Sequence, residues 1–243
     1  MSNYQLSAEA EPPDDAAKIE VRITADGSPT LYVPALDEHY HSRHGAAQES
    51  QHVFIEAGLA PLLAAGLGLA GLLRVLEVGL GTALNALLTL ETAQEAGALI
   101  EYDGYETFPL PAAAVAALAL QWADKPALSS AFKQLHAAPW GSVVEIDETL
   151  FLTKIQQPVQ EADLATDFYN LIYFDAFAPE KQPELWTEAV FAKLYAAAAP
   201  GAVLVSYCAQ GQFRRNLRAA GWLTEKLPGP PGKREMTRAR KPA

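Results

Sequence analysis

The residues whose types and spacing suit chemistry begin with an acid and a glycine turn, Glu77-Val78-Gly79-Leu80-Gly81-Thr82. An apolar run over residues 72–78 enters the turn, and a helix is predicted to leave it near Thr82. Glycine at 79 and 81 lets the backbone pass close to a ligand that a Cβ would block. The helix N-terminus adds free N–H groups and positive dipole character, which favour a carboxylate. An acid just before Gly-x-Gly, with no third glycine at the dinucleotide spacing, suits S-adenosylmethionine (SAM) better than NAD or FAD. The other reading of the turn is a plain strand-to-helix connection. Glu106 lies 25 residues beyond Gly81, at the end of the next apolar run, 98–105. An acid there accepts hydrogen bonds from both ribose hydroxyls of a nucleoside cofactor; the alternative is a solvated acid at a strand end. Glu77 is expected to contact the amino group of the cofactor's methionine part, or its water. The cofactor-binding set is therefore Glu77, Gly79, Gly81, Thr82, Glu106 and Asp175, with S-adenosylhomocysteine as the spent form.

Asp175 belongs to a second group. The continuous apolar run Phe168–Phe174 reads as a strand buried on both faces, and it delivers Asp175-Ala176-Phe177-Ala178-Pro179 to the carboxyl edge of a sheet. An Asp followed by an aromatic and a proline is similar to the Asp/Asn-Pro-Pro-aromatic loop of amino-group methyltransferases. Methyl transfer from a sulfonium is an in-line displacement, so the amine must be neutral and aimed at the methyl carbon. A carboxylate can hold the amine by its N–H groups and take the proton that is lost. Asp175 and Phe177 are the catalytic candidates, Phe177 walling the site or stacking on a base. The plainer reading of Asp175 is a helix N-cap or loop acid.

Elements that could position these groups alternate between strand and helix. Residues 19–24 and 30–33 flank a turn and predict a hairpin. A helix is predicted at 46–65, then strand 72–78, helix 82–96, strand 98–105 and helical segments across 111–137. Residues 143–155 are β-rich and ambiguous. Strand 168–174 precedes helix 183–198, strand 202–208, helix 211–220 and closing strands near 222–227 and 235–239. The pattern predicts an α/β fold: a Rossmann-like, mostly parallel, doubly wound sheet ending in an antiparallel hairpin, as in class I SAM-dependent methyltransferases. A small N-terminal hairpin and helix extension over 18–70 would precede a methyltransferase domain at 71–243. Residues 1–17 are acidic and poor in large apolar groups, which predicts disorder.

With 243 residues the chain suits one large α/β domain. Every apolar run is broken by Gly, Pro or charge before reaching membrane-spanning length, and the N-terminus has no signal-peptide pattern. A cytoplasmic protein with no membrane partner is expected. The single cysteine, Cys208, excludes a disulfide framework or a cysteine metal site. His39, His41, His44 and His52 fit no zinc spacing, and methyl transfer needs no metal, so none is expected. Trp186 and Trp222 read as packing residues, and the role of Tyr207 is open. Net charge is −11, yet residues 200–243 hold nine Lys or Arg against two Glu, a balance of +7 that leaves −18 for the rest. That asymmetry predicts either one basic face on an acidic body or an ordinary solvated tail.

Several longer motifs are more specific. The runs 175–187, 211–215 and 227–236, with Asp26-Gly27-Ser28, Glu38–Ser42 and Glu49–Ile55, resemble the MnmC-type tRNA methyltransferase domain, over about residues 19–240. The resemblance implies SAM-dependent methylation at the tRNA wobble uridine, converting 5-aminomethyl-(2-thio)uridine to 5-methylaminomethyl-(2-thio)uridine. The partner would be the anticodon region of tRNA, on which upstream wobble-modification enzymes also act. The chain has no room for the FAD-dependent domain of bifunctional members, so it should resemble the stand-alone form. Glu49 and His41, in matching segments, are expected either to line the substrate pocket beside Phe177 and Pro179 or to order the N-terminal lobe by hydrogen bonding. Lys233 and Arg234, after the stiff Pro228–Gly232 turn, with Arg214 and Arg215, are expected to contact phosphates flanking the wobble base. Family members often place a Gly-Asp after the third strand, whereas this chain reads Lys154 to Asp163 there, so no adenine contact is assigned. A SAM-dependent N-methyltransferase acting on a small-molecule amine is the competing reading, since it would share the whole cofactor site.

Overall fold

The computed structural model describes residues 19–23, 27, 29–34, 37–40, 45–69 and 71–243. The acidic N-terminus, His41 and most of the first turn lie outside the described residues. Three short strands open the described chain: β1 (Glu20–Ile23), β2 (Pro29–Val33) and β3 (Glu38–His39), each antiparallel to the next. The predicted hairpin is present, and β3 is an addition that two residues of strand could not announce. A helical run follows as α1 (Ala46–Ser50), a π-helical stretch (Gln51–Leu59) and α2 (Ala60–Ala64). Its apolar face, Val53, Phe54, Ile55 and Leu59, is buried in the main core.

The central sheet is built from β4 (Leu73–Val78), β5 (Ile100–Tyr105), β6 (Val143–Glu145), β7 (Leu150–Ile155), β8 (Tyr169–Phe174), β9 (Ala198–Ser206), β10 (Leu223–Pro228) and β11 (Glu235–Arg240). Its order is β10-β11-β9-β8-β4-β5-β7-β6. Strands β9, β8, β4, β5 and β7 run parallel, while β11 enters antiparallel beside β9 and pairs with β10. The doubly wound sheet with a terminal hairpin is thus as expected. The ambiguous 143–155 stretch is a hairpin: β6 pairs antiparallel with β7, which carries the alternating burial of an outer strand.

Helices α3 (Leu84–Ala96), α4 (Ala112–Ala119), α5 (Pro126–Ala137), α6 (Glu188–Ala197) and α7 (Gly211–Ala219) connect the strands. Helix α3 starts two residues later than Thr82 because Ala83 takes a left-handed conformation, φ 56°, which ends the glycine turn. It stops at Gly97, also left-handed, where Ala98 N–H donates to the Ala93 carbonyl, a common helix ending. Helix α6 begins at Glu188, after a single 3₁₀ turn at Pro183–Leu185. The interior strand β4 switches direction of connection between β5 and β8, its neighbours on either side. Open α/β sheets bind ligands outside the carboxyl ends of strands at such a switch point, and the glycine turn leaves β4 there.

Candidate active site

The loops after β4, β5 and β8 surround a cavity of about 500 Å³, a size typical of small-molecule sites. Gly79, Gly81, Thr82, Glu106, Asp175, Phe177, Glu49 and Lys233 all line it. The sequence-predicted cofactor and acceptor groups therefore meet in one space.

The glycine turn is held in place from two sides. Gly79 has φ +91°, and a Cβ there would lie 2.7 Å from the Asp175 carbonyl oxygen. The β4 and β8 loops can touch only because residue 79 lacks a side chain. A Cβ on Gly81 would meet the Tyr40 ring at 3.0 Å, so the segment after β3 closes over the turn. The Gly81 N–H donates to Glu106 Oε2 and the Phe108 N–H to Oε1, both at 2.9 Å. Burial raises the Glu106 carboxyl above its usual range, and those backbone donors pull the other way. Glu106 thus ties the β5 loop to the turn while still facing the cavity.

Glu77 departs from expectation. It does not line the cavity and is fully buried one layer behind it. Its Oε1 accepts from Asn85 Nδ2 at 2.8 Å and its Oε2 from the Tyr102 hydroxyl at 2.7 Å. Burial, with the nearby Asp175, pushes the Glu77 carboxyl well above the usual range. The residue at the second-to-last position of β4 points into the sheet–helix layer, so it cannot reach a ligand at the strand end. Its partner can. Asn85 lines the cavity, and its Nδ2 also donates to Asp175 Oδ2 at 2.8 Å. One amide therefore gives a hydrogen to each carboxylate, which fixes its orientation and leaves Oδ1 buried with no protein donor. The missing Cβ at Gly79 and the unfilled acceptor at Asn85 both fit the aminoacid end of SAM.

Asp175 is part-buried between the two ends of the cavity. Burial raises its carboxyl to about 7; Glu49 adds to the rise, while Asn85 and Lys233 oppose it. The loop that carries it is fastened from below. The Phe177 N–H donates to Gln182 Oε1 at 2.9 Å, and Trp186 Nε1 donates to the Phe177 carbonyl at 2.9 Å. Trp186 in turn packs edge-on against Phe174 and Phe213. Packing against the core thus leaves the loop little freedom. Above it, the Phe177 and Tyr40 rings meet edge to face, 5.0 Å between centroids. The Tyr207 hydroxyl donates to the Ala176 carbonyl at 2.8 Å.

Other predicted residues fall elsewhere. Lys233 sits inside the cavity wall, with Nζ 2.6 Å from Glu49 Oε2 and 4.1 Å from the Tyr207 ring centre. Arg214 is buried and paired with Glu235 at 3.4 Å, so it is not free to meet a phosphate. Arg215 is exposed and donates to Gln212, and Arg234 is exposed; neither lines the cavity, nor does Pro179. Other cations of the basic tail have local partners: Lys226 also meets Glu235, Arg238 and Arg240 share Glu225, and Lys241 pairs with Asp167. Within β7, Lys154 is buried, donating to the His136 carbonyl, whereas Gln157 and Val159, just beyond the strand, face the cavity. Asn85, Tyr40, Gln182, Gln157 and Val159 were missed by sequence reasoning. Asn85 is the second residue of the motif helix, where a polar residue in an apolar run was a usable signal. Among the described residues no group of His, Cys, Asp and Glu has the arrangement of a metal site, and no helix is long and apolar enough to cross a membrane.

Comparison with known proteins agrees with this geometry. Residues 126–242 match the model of a family described as S-adenosyl-L-methionine-dependent methyltransferase. The fold and the site therefore define a class I SAM-dependent methyltransferase. The tRNA 5-methylaminomethyl-2-thiouridine biosynthesis bifunctional protein MnmC of Pseudomonas aeruginosa is 32% identical over 212 residues, covering 83% of this chain and 32% of its own. The MnmC of Chromobacterium violaceum is 30% identical over 225 residues, 88% of this chain and 33% of its own. The chain is thus similar to part of the MnmC proteins. It spans about a third of the length of these curated relatives. The crystal structure of MnmC2 from Aquifex aeolicus has the same fold, with a TM-score of 0.73 at 23% identity, over 95% of this chain and 74% of that one.

Proposed function

We propose that this protein methylates the amino group of 5-aminomethyl-(2-thio)uridine at the wobble position of tRNA, giving 5-methylaminomethyl-(2-thio)uridine. The observation that carries the reading is the position of Asp175. It faces the same cavity as the Gly79–Gly81 turn, bound to Asn85 on the cofactor side and bordered by Phe177 on the other. SAM supplies the methyl group and departs as S-adenosylhomocysteine. Gly79, Gly81, Thr82 and Asn85 would hold its aminoacid end, Glu106 its ribose, and Gln157 with Val159 its base.

The charge of the cavity supports a cationic donor and a cationic acceptor. Asp37, Glu38, Glu49, Glu106, Asp175 and Glu184 line it, against Lys181 and Lys233. Such a surplus attracts a sulfonium and an alkylammonium alike. The amine must reach the reaction neutral. Asp175, with a carboxyl near 7, is matched to accept that proton at neutral pH. With that proton on an Asp175 oxygen, the neutral nitrogen forms the N–C bond as the S–C bond breaks with its electron pair left on sulfur, and the product leaves as a secondary methylammonium. Phe177 and Tyr40 would wall the acceptor, with the base stacked on the Phe177 ring. Exposed Arg215 and Arg234 are the side chains offered to the RNA backbone.

The test is incubation with methyl-labelled SAM and tRNA from cells that lack this methylation, followed by digestion and identification of the labelled nucleoside. Label in 5-methylaminomethyl-(2-thio)uridine is expected. SAM binding with no label in RNA would move the reaction to a small-molecule amine.

A further inference from the structure

We propose that the Lys233 ammonium is an internal stand-in for the substrate's ammonium: it fills a subsite made by Glu49 and the face of Tyr207, and is exchanged for the substrate's own aminomethyl group when an RNA phosphate draws it out. This rests on the amine-methylation reading and adds to it how the site refuses free amines.

The geometry of the subsite is that of a cation receptor. Lys233 Nζ lies 2.6 Å from Glu49 Oε2 and 4.1 Å from the Tyr207 ring centre. An acid beneath and an aromatic face beside a primary ammonium are the two groups that such a head group prefers. A lysine side chain and an aminomethyl substituent present the same terminal group, –CH₂–NH₃⁺, so what holds one suits the other. Both Glu49 and Lys233 line the cavity that contains Asp175. The receptor is therefore in the acceptor end, not on a remote surface.

The backbone around Lys233 is held by hydrogen bonds. Its N–H donates to the Pro230 carbonyl at 2.9 Å, and the Gly229 N–H donates to the Arg234 carbonyl at 3.2 Å. His52 Nε2 lies 2.9 Å from the Pro228 carbonyl, tying the same turn to the helical run that carries Glu49. The turn is thus fixed on both sides while the lysine stem, about a third exposed, reaches from the rim inward.

Energetics favour an exchange over a simple opening. The Glu49 side chain is only 9% exposed. Pulling Lys233 away alone would strand a nearly buried carboxylate, which is strongly unfavourable. Replacing one ammonium by another keeps Glu49 paired throughout, and the released lysine finds an anion beside exposed Arg234. A free amine brings the ammonium but no phosphate, so it must compete with a tethered cation. A nucleotide of RNA brings both.

Affinity for the free nucleoside 5-aminomethyluridine, measured by calorimetry with SAM-saturated protein, tests the exchange. Lys233→Met is expected to bind it about tenfold more tightly than wild type, the scale of one hydrogen bond to a charged group. The double variant Lys233→Met with Glu49→Gln should lose that gain. Lys233→Arg, which keeps a cation, should stay near wild type. Melting temperature and SAM affinity check folding, and Lys233→Gln repeats the test if the Met variant is unfolded. Unchanged or weaker nucleoside binding in a folded Lys233→Met variant overturns the proposal, as does a gain that survives loss of Glu49. Absence of tRNA methylation by wild type, with the affinity gain present, would instead overturn the assigned substrate and leave the ammonium subsite standing.

Discussion

At the cofactor end, Gly79, Gly81, Thr82 and Asn85 come from one short stretch between β4 and the first turn of α3. At the acceptor end, Tyr40, Glu49, Asp175, Tyr207 and Lys233 come from five separate segments, spread over almost the whole described chain. The first end depends on backbone shape: a left-handed turn, a missing Cβ and a helix start. The second depends on side chains whose positions are set by tertiary contacts, such as Trp186 under the Phe177 carbonyl and the Glu49–Lys233 pair. Backbone sites are written locally and tolerate change around them. Side-chain sites are assembled by packing from distant segments.

Substitutions that separate the two ends sharpen that contrast. The largest effect is expected from Asp175→Ala, which should cut turnover about 10²-fold or more, the scale of a lost positioned base, with little change in SAM affinity. A near-normal rate would remove Asp175 from the chemistry. Gly79→Ala should act on the other end. Its Cβ would meet the Asp175 carbonyl oxygen at 2.7 Å with φ at +91°, so SAM affinity should fall by roughly one to two orders of magnitude, the scale of strain at such a position. Calorimetric titration with SAM checks it, and an unchanged affinity would mean that the turn does not touch the cofactor.

Asn85→Ala joins the ends, since one amide serves both Glu77 and Asp175. It should slow turnover about tenfold, at the modest end for a group that supports acid–base catalysis. It should also move the acidic limb of the rate profile to higher pH, because the lost hydrogen bond is one of the groups holding the Asp175 carboxyl down. A limb that stays in place would show that Asn85 does not set the ionisation. Stability should follow the same group. Asp175 has a folded-state pKa of about 7 against an ordinary 3.8, so the folded protein holds the proton more tightly. Its ionisation therefore destabilises the fold progressively as pH rises from about 4 to about 7, and Asp175→Asn should raise the melting temperature more at pH 8 than at pH 4. The smallest effect belongs to Tyr102→Phe, which removes one donor from buried Glu77. It should cost about 1–3 kcal/mol of stability in denaturant titration while turnover at saturating substrates barely moves.

The same division explains how much was legible in the sequence. The strand–helix alternation and the Gly79–Gly81 turn were readable because parallel buried strands are continuous apolar runs and the turn needs residues of one type. Glu106 was readable by its distance from Gly81. Glu77 was read correctly as a strand acid but assigned to the wrong layer, because strand periodicity gives a face and not which partner waits there; Tyr102 and Asn85 take both its oxygens. The basic tail was legible as a surplus of charge but not in its detail. A charge count does not say which cations face inward: Arg214 is buried against Glu235, and Lys233 lies against Glu49. Tyr40 escaped notice because it reaches Gly81 from a different sheet, through a contact with no sequence signature.

The claim that both ends meet on Asp175 is tested most directly by single-turnover methyl transfer to tRNA across pH 5.5–8.5, for wild type and Asp175→Asn. The expected result is a wild-type rate that rises through pH about 7, where the Asp175 carboxyl ionises, and then levels, with the Asn variant slow and lacking that limb. A wild-type profile without the limb, or an Asn variant that keeps both rate and limb, would contradict it.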